Sequence, residues 1–127
     1  MKNILILFLA YLFLINIANA KVATVTNDVF LEAKKSTGQE YEKNFERILK
    51  PYILGVADSL MTANAYLKLG GEKEIFCQPS NLGLNVENYM RFASEQIEED
   101  KKNDKYNGRQ PLSISILIRL IDVFPCK

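Results

Sequence analysis

The chain has 127 residues, 48% hydrophobic and 24% charged, with 16 basic and 15 acidic side chains, no histidine and a formal net charge of +1. Bases and acids interleave, as in Glu40, Glu42, Lys43, Glu46, Arg47 and Lys50, so the one-sided basic excess of a polyanion binder is missing and no nucleic-acid partner is expected. Without histidine there is no His-based zinc site, no His-dependent serine or cysteine triad and no metalloprotease helix motif, and no glycine-rich phosphate loop appears. No catalytic residue, metal or cofactor is therefore expected.

The N-terminus reads as an export signal. Met1-Lys2-Asn3 is a short positive region, Ile4 to Ile15 is apolar throughout, and Ala18-Asn19-Ala20 has the small-x-small pattern at which a signal peptidase cuts. The apolar run stops at Asn16, short of the roughly 20 residues a spanning helix needs. Cleavage after Ala20 would release residues 21–127 as one periplasmic domain with a formal charge of 0, since the segment removed holds one lysine and no acid. No membrane association is expected after cleavage.

Asn27 is placed to cap a short helix through about Ser36, with Val29, Phe30 and Ala33 facing inward. A longer apolar stripe follows, at spacings of three and four, through Tyr41, Phe45, Ile48, Leu49, Tyr52, Ile53, Val56, Leu60, Ala63 and Leu67. Pro51 interrupts it, which predicts either a kink or two helices meeting at Lys50 with Pro51 in the first turn of the second. Opposite the stripe lie Gly55, Asp58, Ser59 and Thr62, small residues that admit a second helix or a second subunit, with Asp58 as a structural polar group at its edge. Gly70-Gly71 is the pattern of a helix C-terminus.

From Gly71 to Leu84 the chain should be irregular. Asn85 can then cap a helix whose stripe is Val86, Tyr89, Met90, Ala93 and Ile97, ending in the charged run Glu98, Glu99, Asp100, Lys101, Lys102. Lys101 to Gln110 reads as an exposed loop with a turn at Asn107-Gly108. Pro111 opens a last helix, Leu112 to Phe124, in which Leu112, Ile114, Ile116, Leu117, Ile118, Leu120 and Ile121 leave so little polar face that it should be the buried centre, although its β-branched residues also permit a strand. The fold class is thus all-α: a small domain of about four to five helices.

The two cysteines, Cys77 and Cys126, allow one intramolecular pairing in an oxidising compartment. Closing a loop of about 50 residues contributes roughly 4 kcal/mol in the chain-entropy account. A nucleophilic Cys77 would need a histidine or a strongly positive setting. An enzyme would have to rely on carboxylates, Asp58 or Glu98, and the Glu98-Glu99-Asp100 run is the pattern of a solvated helix end.

Three short motifs carry a resemblance. Pro51-Tyr52-Ile53-Leu54-Gly55-Val56-Ala57-Asp58-Ser59-Leu60, then Phe76-Cys77-Gln78-Pro79, then Phe124-Pro125-Cys126 resemble, in order and spacing, the periplasmic Rap/Tai immunity proteins of bacterial type VI secretion, which protect a cell from peptidoglycan-cutting amidases. The resemblance runs from about Phe30 to Cys126. Its motif residues, Tyr52, Gly55, Asp58, Pro79, Phe124 and Pro125, read as structural. The sequence departs from the family where Lys34 and Leu49 stand in place of a second cysteine pair and Pro51 in place of a glycine, so the first helix should be held less firmly.

The resemblance implies a homodimer that occludes an amidase effector with an exposed loop or helix end. Exposure alone points to the 101–110 loop, with Asp104, Tyr106 and Arg109 as contacts, since tyrosine and arginine are favoured at binding hot spots. Two other classes fit the same composition: a small periplasmic chaperone of the helical one-disulfide type, and a carboxylate enzyme.

Overall fold

The computed structural model describes residues 24–127, so the export segment read at residues 1–20 lies outside the described part. Helix α1 spans Asn27–Lys35 and α2 spans Gly38–Asn44; a π-helical turn, Phe45–Leu49, leads into α3, Lys50–Leu69; α4 is Val86–Lys102 and α5 is Leu112–Val123. Because α2, the π turn and α3 run on without a break, the described residues form four helical rods and no strand. The all-α expectation holds, and the strand alternative for the last segment does not.

Local chemistry explains most of these bounds. Pro51 sits in the first turn of α3, as the second Pro51 alternative requires, but the chain does not break before it. Proline brings no N–H and crowds the carbonyl four residues back. The π turn absorbs this, with the Lys50 N–H reaching back to the Phe45 carbonyl. Helix α3 ends in a Schellman motif: Glu72 N bonds Leu67 O at 2.9 Å, Gly71 N bonds Lys68 O at 3.1 Å, and Gly71 takes the left-handed φ of 74°. Helix α4 opens with a reciprocal box in which Asn85 Oδ1 accepts from Asn88 N and Asn88 Oδ1 accepts from Asn85 N, both at 3.0 Å.

Three expectations need correction. Thr26, not Asn27, caps α1 by accepting from Val29 N at 3.4 Å, and Asn27 is inside the helix and fully buried. Val29 is exposed, while Phe30 joins Asn27 as a wholly buried residue of α1. Nor is α5 the enclosed centre: Leu112, Ser115, Ile116 and Leu120 are buried, but Ile114, Ile121 and Val123 face solvent. Burial at spacings of three and four is one stripe of a helix, and three other rods cannot cover the rest of its apolar surface.

The core joins Phe30 of α1, Leu49 of the π turn, Ile53 and Ala57 of α3, Phe92, Ala93 and Ile97 of α4 and the α5 stripe, with Phe76 from the segment between α3 and α4. Along the rod formed by the π turn and α3 the buried line is rotated from the one read in sequence, since Ala57 and Asn64 are buried whereas Ile48 and Ala63 are exposed. Helices α4 and α5 are also linked by Arg119, whose guanidinium meets Glu95 at 3.0 Å and Glu99 at 3.4 Å.

Candidate interaction surface

Two devices fix the irregular segments. The first is a corner at the C-terminus. Cys77 and Cys126 are disulfide-bonded, with Cα atoms 4.9 Å apart, and Cys77 N bonds the Phe124 carbonyl at 2.7 Å. Buried Asn64 of α3 completes the corner: its Oδ1 accepts from Ile75 N at 2.8 Å and Phe76 N at 3.4 Å, and its Nδ2 donates to Phe76 O. One side chain thus satisfies both edges of a turn that would otherwise bury bare backbone groups. Phe76 is fully buried, and Phe124 packs edge-on to Phe92 at 6.3 Å between ring centres.

The second device clasps α1 to the loop before α5. Asn27 N bonds Gln110 O at 3.0 Å, Asp28 N bonds Gly108 O at 3.0 Å, and Leu112 N bonds Val25 O at 2.9 Å. The Asn27 side chain donates to Asn107 O at 3.2 Å and accepts from Ser115 Oγ at 3.0 Å; Ser115 in turn accepts from Gln110 Nε2 at 3.1 Å. At Gly108 an added Cβ would meet the Asp28 carboxylate, which would have to move aside and disturb its bond to Tyr106.

The clasp changes the reading of the 101–110 loop. Helix α4 continues through Lys102 before ending, and Asp104 occupies the left-handed position of a second Schellman motif, with φ 54°, Lys105 N bonded to Asp100 O at 2.8 Å and Asp104 N to Lys101 O at 3.4 Å. Tyr106 is half-buried and donates its hydroxyl to Asp28 Oδ1 at 2.6 Å, with Lys101 Nζ 4.9 Å from its ring centre. Desolvation, then the Asp28 hydrogen bond and charge, push the Tyr106 phenol up to about 12. Arg109 is exposed, and its guanidinium makes no hydrogen bond or ion pair among the described residues. Of the three residues read as contacts, two hold the loop together and one is free.

The residues of the first motif lie along an open groove between α3 and α5. Pro51, Tyr52, Gly55 and Ser59 form one wall with Val56 and Leu60, and Ser113 closes the other side. Nothing lies within 4 Å of a Cβ built on Gly55, and Ser59 Oγ turns back to the Gly55 carbonyl at 2.7 Å. No helix among the described residues covers this small-residue face. Asp58 is exposed beside it, without a hydrogen bond to another described residue, and Pro79 and Pro125 are exposed at the disulfide corner. Glu98 is exposed on α4, on a different helix from Asp58, and neither forms a described ion pair.

Asn64 and Asn27 are the residues sequence reading missed or misassigned. Asn64 interrupts an apolar stripe at a core position, which is the one local signal that could have found it. Asn27 carried no such signal, because its side-chain partners lie 80 and 88 positions away.

These features describe a small disulfide-closed helical domain with an open, mostly apolar groove and a polar loop among its described surfaces. No protein-family model, no curated protein and no solved structure matches this chain. Among the described residues no group of three potential ligands could hold a metal ion, and no helix is long and apolar enough to cross a membrane.

Proposed function

We propose that this chain is a periplasmic immunity protein that binds and occludes a type VI secretion peptidoglycan amidase, without enzymatic activity of its own. One observation carries the reading: Phe76-Cys77 and Phe124-Pro125-Cys126, two motifs of the resemblance, interlock at one corner through the Cys77 N to Phe124 O bond and the disulfide. An occluding protein needs a rigid body with groups left free, and Arg109 at the tip of a clasped loop is such a group. The uncovered α3 to α5 groove suits the second copy of a homodimer. Co-expression with a cognate amidase directed to the periplasm tests the reading: lysis should be suppressed by this protein and restored by its omission.

Exposed apolar side chains favour one other reading. Ile48, Leu54, Met61, Tyr66 and Leu69 on the long rod and Ile114 and Ile121 on α5 are all exposed, which suits a chaperone that holds unfolded clients. Suppressing the aggregation of several unrelated denatured proteins would support that reading; protection from one amidase alone would exclude it.

A further inference from the structure

Asn107-Gly108 is the chain's one Asn-Gly pair, and the clasp depends on it. We propose that this pair is a site of spontaneous succinimide formation, and that the resulting isoaspartate releases α1 from the loop. Gly108 carries no side chain of its own beside its amide nitrogen, the Asp28 carboxylate packing instead against its α carbon, and its N–H donates to no acceptor among the described residues. Asn107 is exposed, and its Oδ1 accepts from Arg109 N at 3.0 Å, which polarises the carboxamide carbonyl. Nucleophile and electrophile are thus neighbours in one turn, with the Asn107 carboxamide on an exposed residue.

In the reaction the Gly108 nitrogen loses its proton to solvent base and attacks Asn107 Cγ. A C–N bond forms, the bond from Cγ to the carboxamide nitrogen breaks, and ammonia leaves carrying a proton from solvent. Water then opens the five-membered imide. Opening at one carbonyl gives aspartate; opening at the other routes the main chain through the side-chain carbon and gives isoaspartate. No oxidant or further reactant is needed.

Both products matter because of what surrounds the turn. Asn107 O accepts from Asn27 Nδ2 and from Gln110 N, and Gly108 O accepts from Asp28 N. Isoaspartate adds a backbone carbon between these acceptors, so they can no longer meet α1 in register. Aspartate keeps the backbone path and the acceptor for Arg109 N, and it adds a negative charge near Asp28. The aspartate form should therefore keep most of the clasp and the isoaspartate form should lose it.

The test ages the purified protein in mildly alkaline buffer and digests it after lysine, with the disulfide reduced, to obtain the Tyr106 to Lys127 peptide. The amide-to-acid mass increase should accumulate at Asn107, rise with pH and be absent in Asn107→Gln. Enzymatic methylation of isoaspartate should separate the two products. In intact protein enriched for isoaspartate, hydrogen exchange should show lost protection at Asn27, Asp28 and Phe30, whereas Asn107→Asp should keep most of it. If Asn107 stays unmodified in the folded protein while a urea-unfolded sample reacts, the fold protects the pair and the proposal fails. If isoaspartate forms and α1 keeps its protection, the claim that it opens the clasp fails.

Discussion

The two ends of the domain are closed by opposite means. At the C-terminal corner a covalent bond, a buried phenylalanine and one buried asparagine hold an irregular segment between two helices. At the N-terminal clasp no covalent bond acts; α1 is held by Phe30 in the core and by hydrogen bonds from Asn27 and Asp28 to a polar turn. Where the resemblance would place a second cysteine pair, exposed Lys34 donates to Ser94 Oγ at 2.9 Å and Leu49 is fully buried. A hydrogen-bonded closure adds less stability than a cross-link and can open locally, so the two ends should fail independently.

Removing the disulfide should produce the largest effect. Cys77→Ala with Cys126→Ala frees a sequence separation of 49 residues, and the expected loss is about 4 kcal/mol in urea unfolding. Hydrogen exchange should show the 75–77 segment opening first while α1 keeps its protection. Equal loss of protection at both ends would mean that they form one cooperative unit.

Asn64→Ala attacks the same corner without touching the cross-link. It strips partners from Ile75 N, Phe76 N and Phe76 O, at an expected cost of about 3 kcal/mol. Asn27→Ala makes the matching change at the other end, leaving the buried Ser115 hydroxyl without its acceptor. Its expected cost is about 2 kcal/mol, read as lost protection in α1 and the 107–110 turn with the corner unchanged. A cost near zero would place the hold on α1 in Phe30 and the remaining bonds of the clasp, not in the Asn27 side chain.

The same contrast separates what could be read in the sequence from what could not. Asn85, Pro111 and Gly70-Gly71 were legible because caps and breakers act on neighbours within a turn or two. The disulfide was legible because two cysteines leave one partner choice. Asn27 was misassigned for the converse reason: Thr26 answers the local capping rule, while the groups that use the Asn27 side chain are distant in sequence. The α5 stripe was overfilled because hydropathy records what can be buried, and the number of neighbouring rods decides what is. In the candidate loop, exposure suggested Asp104, Tyr106 and Arg109 as contacts; Asp104 and Tyr106 also have local tasks that only the backbone path reveals.

Asp104 gives a smaller test of that last point. It takes a left-handed φ of 54° that costs glycine little, so Asp104→Gly should leave the domain as stable or raise stability by about 0.5 kcal/mol. A clear loss would mean that its carboxylate contributes something beyond closing α4.

The most specific probe of the clasp is pH, through Tyr106. Its ordinary value is 10.0 and burial beside Asp28 raises it to about 12 in the folded protein, because a phenolate there would lose water and face a carboxylate. The unfolded chain releases the proton near its ordinary value while the folded chain retains it. The stabilisation is therefore complete below about pH 10 and declines as pH rises towards about 12. Near neutrality Tyr106→Phe should cost about 1 kcal/mol, the worth of one hydrogen bond. The stability gap between wild type and variant should shrink through that alkaline window, and the rise that burial imposes on Tyr89 cancels because both proteins contain it. A gap that stays constant would show that the Tyr106 ring, and not its bond to Asp28, holds the loop against α1.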